Sequence, residues 1–251
     1  MLAEQRRQQI LQIIDTHGSV TLTELMQLLN TSESTIRRDL QEMDKKGLLT
    51  RVFGGAVSVN TATGSAENDV AEKQTLHVAE KQLIGRYAAS LIKPKDFVFI
   101  DAGTTTGAML PYITEHDAIY VTNAVAHGLE LARRGFRVNL IGGEIRQITE
   151  AIVGNAACEE LRSYHFTKCF MGTNGVTSES GFTTPDISEA LIKGRAVAQS
   201  KDRYVLCTAD KFQIVAPVRF AGFTEARIIT DRCPNSRYAK QENIKCVGPA
   251  V

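Results

Sequence analysis

The sequence predicts an α/β protein with two parts, a small N-terminal unit of three short helices and a hairpin, then a larger domain built on a mainly parallel sheet. In the first sixty residues, apolar side chains recur at helical spacing. Beyond residue 75, seven short β-rich runs alternate with helical lengths, as in parallel α/β sheets. The polar stretch 58–74 separates the two patterns, so we predict domains at 1–58 and 75–251 with a linker at 59–74.

The composition is that of an ordinary globular protein. Of 251 residues, 43% are apolar, and 29 basic side chains face 28 acidic ones. This excludes a disordered or fibrous chain. The net charge of +1 provides no general attraction to nucleic acid or membrane, so any basic site must be local.

The lack of a membrane-spanning or secretion signal, together with the cysteine spacing, predicts a cytoplasmic protein whose cysteines are reduced. No apolar run approaches the ~20 residues that cross a bilayer, and the N-terminus lacks the apolar core of a signal peptide. The five cysteines are odd in number, widely spaced and without a CxxC pair. We therefore expect all five to be reduced and mostly buried, with no metal site and no cofactor.

The second and third helices of the N-terminal unit have recognisable start signals. Thr21 and Glu24 have the spacing of a capping box, and Ser32 is a good N-cap for a third helix that ends near Lys46. Asn30 breaks the pattern between them. Two short helices joined by a tight turn result.

The third helix has one apolar and one polar face. At ~100° per residue, Ile36, Leu40 and Met43 share the core side. The opposite face carries hydrogen-bonding and cationic side chains suited to phosphates and base edges. These are Ser34, Arg37, Arg38, Gln41 and Lys45.

A hairpin follows the third helix. LLTRV and AVSV flank Gly54 and Gly55, and adjacent glycines tolerate the positive φ angles of tight turns. We expect this hairpin to form a wing, with Thr50 and Arg51 placed to reach the DNA backbone beside the groove that the third helix would read. The alternative is a protein-interaction module whose charged helix face is merely solvated.

The string SESTIRRDLQEMDKKGLLTRVFGGA (32–56) closely resembles the winged helix-turn-helix of DeoR-type bacterial transcription regulators. The resemblance implies binding to double-stranded operator DNA through a motif at about residues 20–39. Asp39 is better interpreted as structural, orienting an arginine, because a carboxylate repels DNA. The predicted DNA-binding residues are Ser34, Thr35, Arg37, Arg38, Gln41, Lys45 and Arg51.

Small polar residues follow the predicted strands of the second domain. FVFI leads into Asp101 and GTTT (103–106), AIYV into Thr122 and Asn123, and YVLCT into Asp210 and Lys211. Ligands gather beyond the carboxyl ends of parallel strands. The GTTT turn fits a phosphate cradle, although such a turn also simply caps a helix.

Two further pairs allow a structural interpretation. Gly142 and Gly143 are explained equally well by close packing. Glu189 and Lys193 stand one helical turn apart and, taken alone, are better explained as a surface ion pair than as ligand contacts.

The motifs DAGTTT (101–106), IGGEIR (141–146), GTNG (172–175), TTPDISEALIK (183–193) and ADK (209–211) resemble the DeoR sensor domain, which is related in fold to ribose-5-phosphate isomerase. YHFTKCFMGTNGV and GFTTPD are most similar to the fructose operon repressor branch, which implies fructose 1-phosphate as effector. The resemblance implies that residues 103–105 hold the phosphate, with Lys211 or Arg146 as the neutralising cation. The implied effector-binding residues are Asp101, Gly103, Thr104, Thr105, Asn123, Arg146, Asn174, Gly175, Glu189, Lys193 and Lys211.

The competing function is a sugar-phosphate isomerase with an accessory nucleic-acid-binding module. An isomerase needs a carboxylate base over the substrate carbons, and its relatives carry a DGADE-type loop. No such run occurs here, although Asp101, Glu144 and Asp210 are acidic. We therefore predict no enzymatic activity, and a homodimer or homotetramer that reads repeated DNA half-sites.

Overall fold

In a computed structural model, the structure describes residues 3–17, 19–46, 48–52, 55–58 and 70–248. Contacts between residues divide the chain into two units, Met1–Ala66 and Glu67–Val251. None of the described helices combines the length and the apolar character that crossing a bilayer requires.

The first unit contains the three helices and the hairpin that the sequence predicts. The helices are α1 (Ala3–His17), α2 (Leu22–Leu29) and α3 (Glu33–Lys45). The strands are β1 (Ser19–Thr21), β2 (Leu49–Val52) and β3 (Gly55–Ser58), in the antiparallel order β1-β3-β2.

The predicted signals at the ends of α2 and α3 are confirmed with one exception. Thr21 and Glu24 form a reciprocal capping box, and Asn30 ends α2 with a φ of 46°. Ser32 is the N-cap of α3, but its side chain makes no capping hydrogen bond. Gly18, Gly47 and Gly54, expected to end helices or form the turn, lie outside the described residues.

The core of the first unit includes one buried carboxylate. Ile36, Leu40 and Met43 are buried, as predicted, and Asp39 lies beside them with 2% of its surface exposed. Arg6 Nε and Arg7 Nε of α1 donate to its two oxygens over 2.5 and 2.9 Å. The structural role predicted for Asp39 is confirmed, because it joins α1 to α3.

The hairpin is confirmed, but Gly55 has a different role from the one expected. It pairs with Val52 on one side and Thr21 on the other, and is not among the glycines with positive φ. A Cβ at this position would lie 2.2 Å from the carbonyl oxygen of Val20. Gly55 is therefore needed because β1 approaches closely.

The second unit begins with two helices and continues as alternating strands and helices. Its helices are α4 (Val70–Thr75), α5 (Val78–Ser90), α6 (Thr104–Gly107), α7 (Val125–Arg133), α8 (Asn155–Arg162), α9 (Ile187–Ala198) and α10 (Ser236–Ala239). Its strands are β4 (Phe97–Ile100), β5 (Ile119–Thr122), β6 (Arg137–Leu140), β7 (Glu144–Arg146), β8 (Ala151–Val153), β9 (Phe166–Gly172), β10 (Gly175–Thr177), β11 (Gly181–Thr184), β12 (Ser200–Leu206), β13 (Val218–Ala221), β14 (Arg227–Thr230) and β15 (Ile244–Cys246).

A seven-stranded parallel sheet forms the centre of this unit. Its order is β15-β14-β12-β9-β4-β5-β6, and every neighbouring pair is parallel. These are the seven strands that the sequence predicts, and the α/β fold class is confirmed. Buried apolar side chains cover both faces, Phe99 and Met171 in one cluster and Ile100 and Phe170 in the other.

The sequence did not indicate two smaller antiparallel sheets. Strands β10, β11 and β13 form one, and β7 pairs with β8 in the other. Helix α4 also begins inside the stretch 59–74 that the sequence assigns to the linker, and it belongs to the second unit. Both features border the site described below.

The expectation that all five cysteines are reduced is wrong for two of them. Cys233 and Cys246 form a disulfide with a Cα–Cα distance of 5.9 Å. A separation of 13 residues does not by itself indicate that two cysteines pair. The pairing of β15 with β14 places Cys246 opposite Thr230, three residues before Cys233. Cys169 and Cys207 are free and buried, and burial raises the pKa of Cys169 to about 11.

Candidate DNA interface and effector site

Helix α3 presents the predicted polar face to solvent. Ser34, Arg37, Arg38, Gln41 and Lys45 are all exposed, and Thr35 is half-buried. Arg51 lies in β2 opposite Ala56, but its side chain is outside what the structure describes. The opposite face of α3 packs in the core, so the exposed side chains are held on a fixed helix.

Arg37 forms an exposed ion pair with Glu33 and can exchange it for a contact with DNA. Arg37 Nη2 lies 2.6 Å from Glu33 Oε1, and both side chains are more than half exposed. Exposed pairs of this kind contribute little, about 0–1 kcal/mol, so a phosphate or base edge can replace Glu33. Beside them, Ser32 Oγ lies 3.2 Å from Ser34 Oγ and 3.0 Å from Thr35 Oγ1, a cluster of hydroxyl groups at the start of α3.

In the second unit, a cavity of about 140 Å³ lies at the carboxyl ends of β4, β9 and β12; we call it the strand-end cavity. Seven of the eleven predicted effector-binding residues line it. They are Gly103, Thr104, Thr105, Asn174, Glu189, Lys193 and Lys211.

The other four predicted residues do not line this cavity. Asn123 Oδ1 accepts a 2.7 Å hydrogen bond from the Ala102 amide, so it positions the loop that precedes α6. Arg146 lies behind Glu189, with Nη1 3.4 Å from Glu189 Oε1. Gly175 is the first residue of β10. Asp101 lies beneath the cavity.

Asp101 and Lys193 form a buried ion pair. Lys193 Nζ donates to Asp101 Oδ2, and the Gly172 amide donates to the same oxygen over 2.9 Å. Their exposures are 1% and 5%. Burial raises the pKa of Asp101, opposed by the Lys193 charge. The interpretation of Lys193 and Glu189 as a surface ion pair is wrong, because α9 turns both side chains inward.

Glu189 connects three elements around the cavity. Its carboxylate accepts hydrogen bonds from Thr149 Oγ1 at 2.5 Å and from Thr184 Oγ1 at 3.3 Å, in addition to the Arg146 contact. Thr184 Oγ1 also lies 3.2 Å from Asn174 Oδ1. Asn174 and Glu189 thus belong to one polar network, which offers hydrogen-bond acceptors to hydroxyl groups.

Sequence reasoning missed several lining residues. Lys73 and His77 come from α4 and the turn after it, Lys81 from α5, and Thr149 from the β7–β8 connection. None of them follows a strand of the seven-stranded sheet, so the search at strand ends did not reach them. With Lys193 and Lys211, four lysines line the cavity, against the carboxylates of Glu189 and Asp210.

Asp210 and Lys211 face the cavity as a pair. Lys211 Nζ lies 2.8 Å from Asp210 Oδ2, and His77 Nε2 lies 3.8 Å from Asp210 Oδ1. Burial opposes ionisation of Asp210, but the Lys211 ammonium holds the pKa of Asp210 below its usual value. The carboxylate partly neutralises Lys211, so Lys211 alone does not supply the full positive charge of the site.

A second cavity of about 430 Å³ adjoins the first; we call it the adjoining cavity. The two share Gly103, Thr104 and Lys81 in their walls. The adjoining cavity has the size of ordinary small-molecule pockets, ~300–1,000 Å³. His127 lines it, and burial lowers the pKa of His127 to about 4, so the imidazole is neutral at pH 7.

Two family descriptions match the chain. The DeoR-like helix-turn-helix domain matches residues 6–62, and the DeoR C terminal sensor domain matches residues 76–232. The second match alone spans more than half of the chain.

Relatives along the whole chain agree with this. The chain is 40% identical to an "Uncharacterized HTH-type transcriptional regulator FruR" of Bacillus subtilis, over 99% of this chain and 100% of that protein. It is 34% identical to a "Lactose phosphotransferase system repressor" of Staphylococcus epidermidis, over 96% of this chain and 95% of the relative.

Among solved structures, the chain is similar to ribose 5-phosphate isomerase A from Neisseria gonorrhoeae, at 12% identity and a TM-score of 0.40, over 55% of this chain and 54% of that one. A similarity at that level carries no argument about activity. The isomerase alternative is not supported, because the full-length relatives are named regulators and repressors. With a DeoR-like helix-turn-helix domain, a DeoR sensor domain and full-length relatives that regulate transcription, this chain belongs to the DeoR family of DNA-binding transcriptional regulators, and it is not an enzyme.

Proposed function

We propose that this chain represses a sugar-utilisation operon, with fructose the first candidate, and releases its operator when a sugar phosphate such as fructose 1-phosphate binds the second unit. The observation that carries this proposal is the convergence of four lysines on the strand-end cavity, where Gly103, Thr104 and Thr105 also lie. A sugar phosphate carries nearly two negative charges at neutral pH, and such a dianion needs cationic partners.

The polar network opposite the lysines suits the sugar. Asn174 and Glu189 offer acceptor oxygens to hydroxyl groups, and the adjoining cavity provides room beyond the 140 Å³ of the first. In this arrangement residues 103–105 and the lysines hold the phosphate, and Asp101 orients Lys193 from below. Asn123 and Arg146 act indirectly, by positioning the 102–103 loop and Glu189.

The names of the relatives support a sugar-linked role. One is called FruR and the other a lactose phosphotransferase system repressor. Paired helix-turn-helix units read repeated half-sites, so we further propose that the protein acts as a homodimer or homotetramer. Binding to an operator requires that it work in the cytoplasm.

A gel-shift assay on the DNA upstream of its own gene tests the proposal. We expect a specific complex that fructose 1-phosphate dissociates, whereas fructose and inorganic phosphate have much weaker effects. A hundredfold loss of operator affinity corresponds to a coupling of about 2.7 kcal/mol, and the operator must weaken effector binding by the same factor. A complex that no sugar phosphate weakens would contradict the effector assignment and leave only the DNA-binding role.

A further inference from the structure

Helix α4 forms part of the wall of both cavities. Val70 lines both, Lys73 lines the strand-end cavity, and Gln74 lines the adjoining one. Strand β3 of the first unit ends at Ser58, so eleven residues separate it from Val70. Helix α4 is therefore the first described element after the connection to the DNA-binding unit.

Lys81 holds α4 in place with an unusual bond. Its side chain is 8% exposed, and its ammonium donates to the backbone carbonyl of Lys73 in α4. The ion pairs among the described residues include none to Lys81. A buried ammonium normally has an anionic partner, so a neutral carbonyl leaves this charge poorly compensated.

The charges around Lys81 increase the imbalance. Burial lowers the pKa of Lys81, and the nearby Lys211 lowers it further, although Asp210 and Glu80 act in the opposite direction. The ammonium has three donors, and the described residues supply one acceptor. Lys81 is therefore poised to take an anionic acceptor as soon as one enters.

The position of Lys81 determines where that acceptor arrives. Lys81, Gly103 and Thr104 line both cavities, so an anionic oxygen near residues 103–104 lies on the same wall as Lys81. An anionic acceptor adds attraction between opposite charges to the hydrogen bond from an ammonium, which a neutral carbonyl does not provide. An anionic oxygen on this wall therefore competes with the Lys73 carbonyl for the ammonium.

We propose that Lys81 binds the anionic group of the effector and that this exchange of acceptors, from the Lys73 carbonyl to an anionic oxygen, releases α4 and weakens operator binding. The inference rests on the proposed function and extends it, because it assigns the residue through which the second unit signals. No bond other than hydrogen bonds is formed or broken.

Hydrogen–deuterium exchange of the full-length protein, read in peptides covering residues 70–75, tests the release. With saturating fructose 1-phosphate we expect exchange in α4 to accelerate roughly tenfold or more. This is the factor by which an equilibrium changes when one hydrogen bond to a charged group is lost. Calorimetry on the same samples measures binding separately. Unchanged or slower exchange, with fructose 1-phosphate bound, overturns the release and leaves the proposed function intact.

Lys81→Met provides the second measurement, because methionine replaces the buried stem but not the ammonium. We expect fructose 1-phosphate to bind roughly tenfold to a hundredfold more weakly, and α4 to exchange rapidly without ligand. Operator affinity without ligand should fall toward the value of the liganded wild type. Lys201→Met, an exposed lysine at the start of β12, is the matched control and should behave as wild type.

Three results separate the possible failures. Wild-type affinity for fructose 1-phosphate in Lys81→Met overturns the role of Lys81. Protected α4 and unchanged operator affinity in that variant overturn the tether. If calorimetry detects no binding of fructose 1-phosphate or other sugar phosphates to the wild type, the proposed effector fails, and the exchange of acceptors falls with it.

Discussion

The ion pair beneath the strand-end cavity permits a quantitative test of how the site is built. The Asp101 carboxylate is 1% exposed, and Lys193→Met leaves it, among the described residues, with the hydrogen bond from the Gly172 amide. Asp101→Asn leaves Lys193 without this anion. Two unit charges 4 Å apart interact by about 4 kcal/mol at an effective dielectric constant of 20. Removing one partner of a buried pair costs about 3–5 kcal/mol, so we expect each variant to lose about 3 kcal/mol.

The double variant separates the interaction from the two individual losses. Because neither charge remains, Asp101→Asn with Lys193→Met should be more stable than the sum of the single losses predicts, by about 2 kcal/mol. Urea unfolding of all four proteins, followed by circular dichroism, measures this coupling. Additive losses would refute the argument that the pair acts as one buried unit.

A second buried pair is the matched control for function. Lys168 Nζ lies 2.7 Å from Asp96 Oδ2, with side chains 10% and 9% exposed, at the opposite ends of β4 and β9 from the cavity. Asp96→Asn with Lys168→Met should show a similar coupling and bind fructose 1-phosphate normally. Lys193→Met should bind it at least about tenfold more weakly, through the lost charge. Equal losses of fructose 1-phosphate affinity in Lys193→Met and in the Asp96/Lys168 double variant would mean that reduced stability, and not a lost contact in the cavity, weakens binding.

Three further predictions concern the DNA interface, the phosphate site and pH. Arg37→Ala and Arg38→Ala should each weaken operator binding in gel shifts, by roughly 1–3 kcal/mol for a base contact, without lowering the melting temperature; unchanged affinity in both would contradict the recognition surface. Thr104→Val with Thr105→Val should keep operator binding but lose the response to sugar phosphate in calorimetry, because two donors are replaced by methyl groups; normal effector affinity would place the phosphate elsewhere. Since the pKa of His127 is about 4 in the fold and 6.5 ordinarily, the unfolded chain binds its proton first on acidification. The free energy of unfolding is therefore at its full value above pH 6.5 and falls by roughly 3 kcal/mol as the pH drops toward 4. Urea unfolding at a series of pH values should show this fall, and His127→Phe should lack it.

The sequence by itself determined the three N-terminal helices, the seven strands of the parallel sheet and the exposed polar face of α3, because these features depend on local periodicity. Helix α3 needs only its spacing to separate Ile36 from Arg37, and a helix of known pitch fixes which side chains share a face. The seven parallel strands were likewise readable as short β-rich runs separated by helical lengths. The strand ends and the resemblance to the DeoR sensor domain together indicated the seven predicted residues that line the strand-end cavity, since parallel strands bring their carboxyl ends to one edge.

The tertiary structure decided what those residues contact. Nothing in the spacing places Lys193 on Asp101, 92 positions away, or sets the Lys81 ammonium under the Lys73 carbonyl. The disulfide escaped prediction for the same reason, since it depends on β15 lying beside β14. Burial and pairing are properties of how elements pack, and packing depends on contacts between residues distant in sequence, so local patterns specify the elements and only the fold specifies the charges that meet at the site.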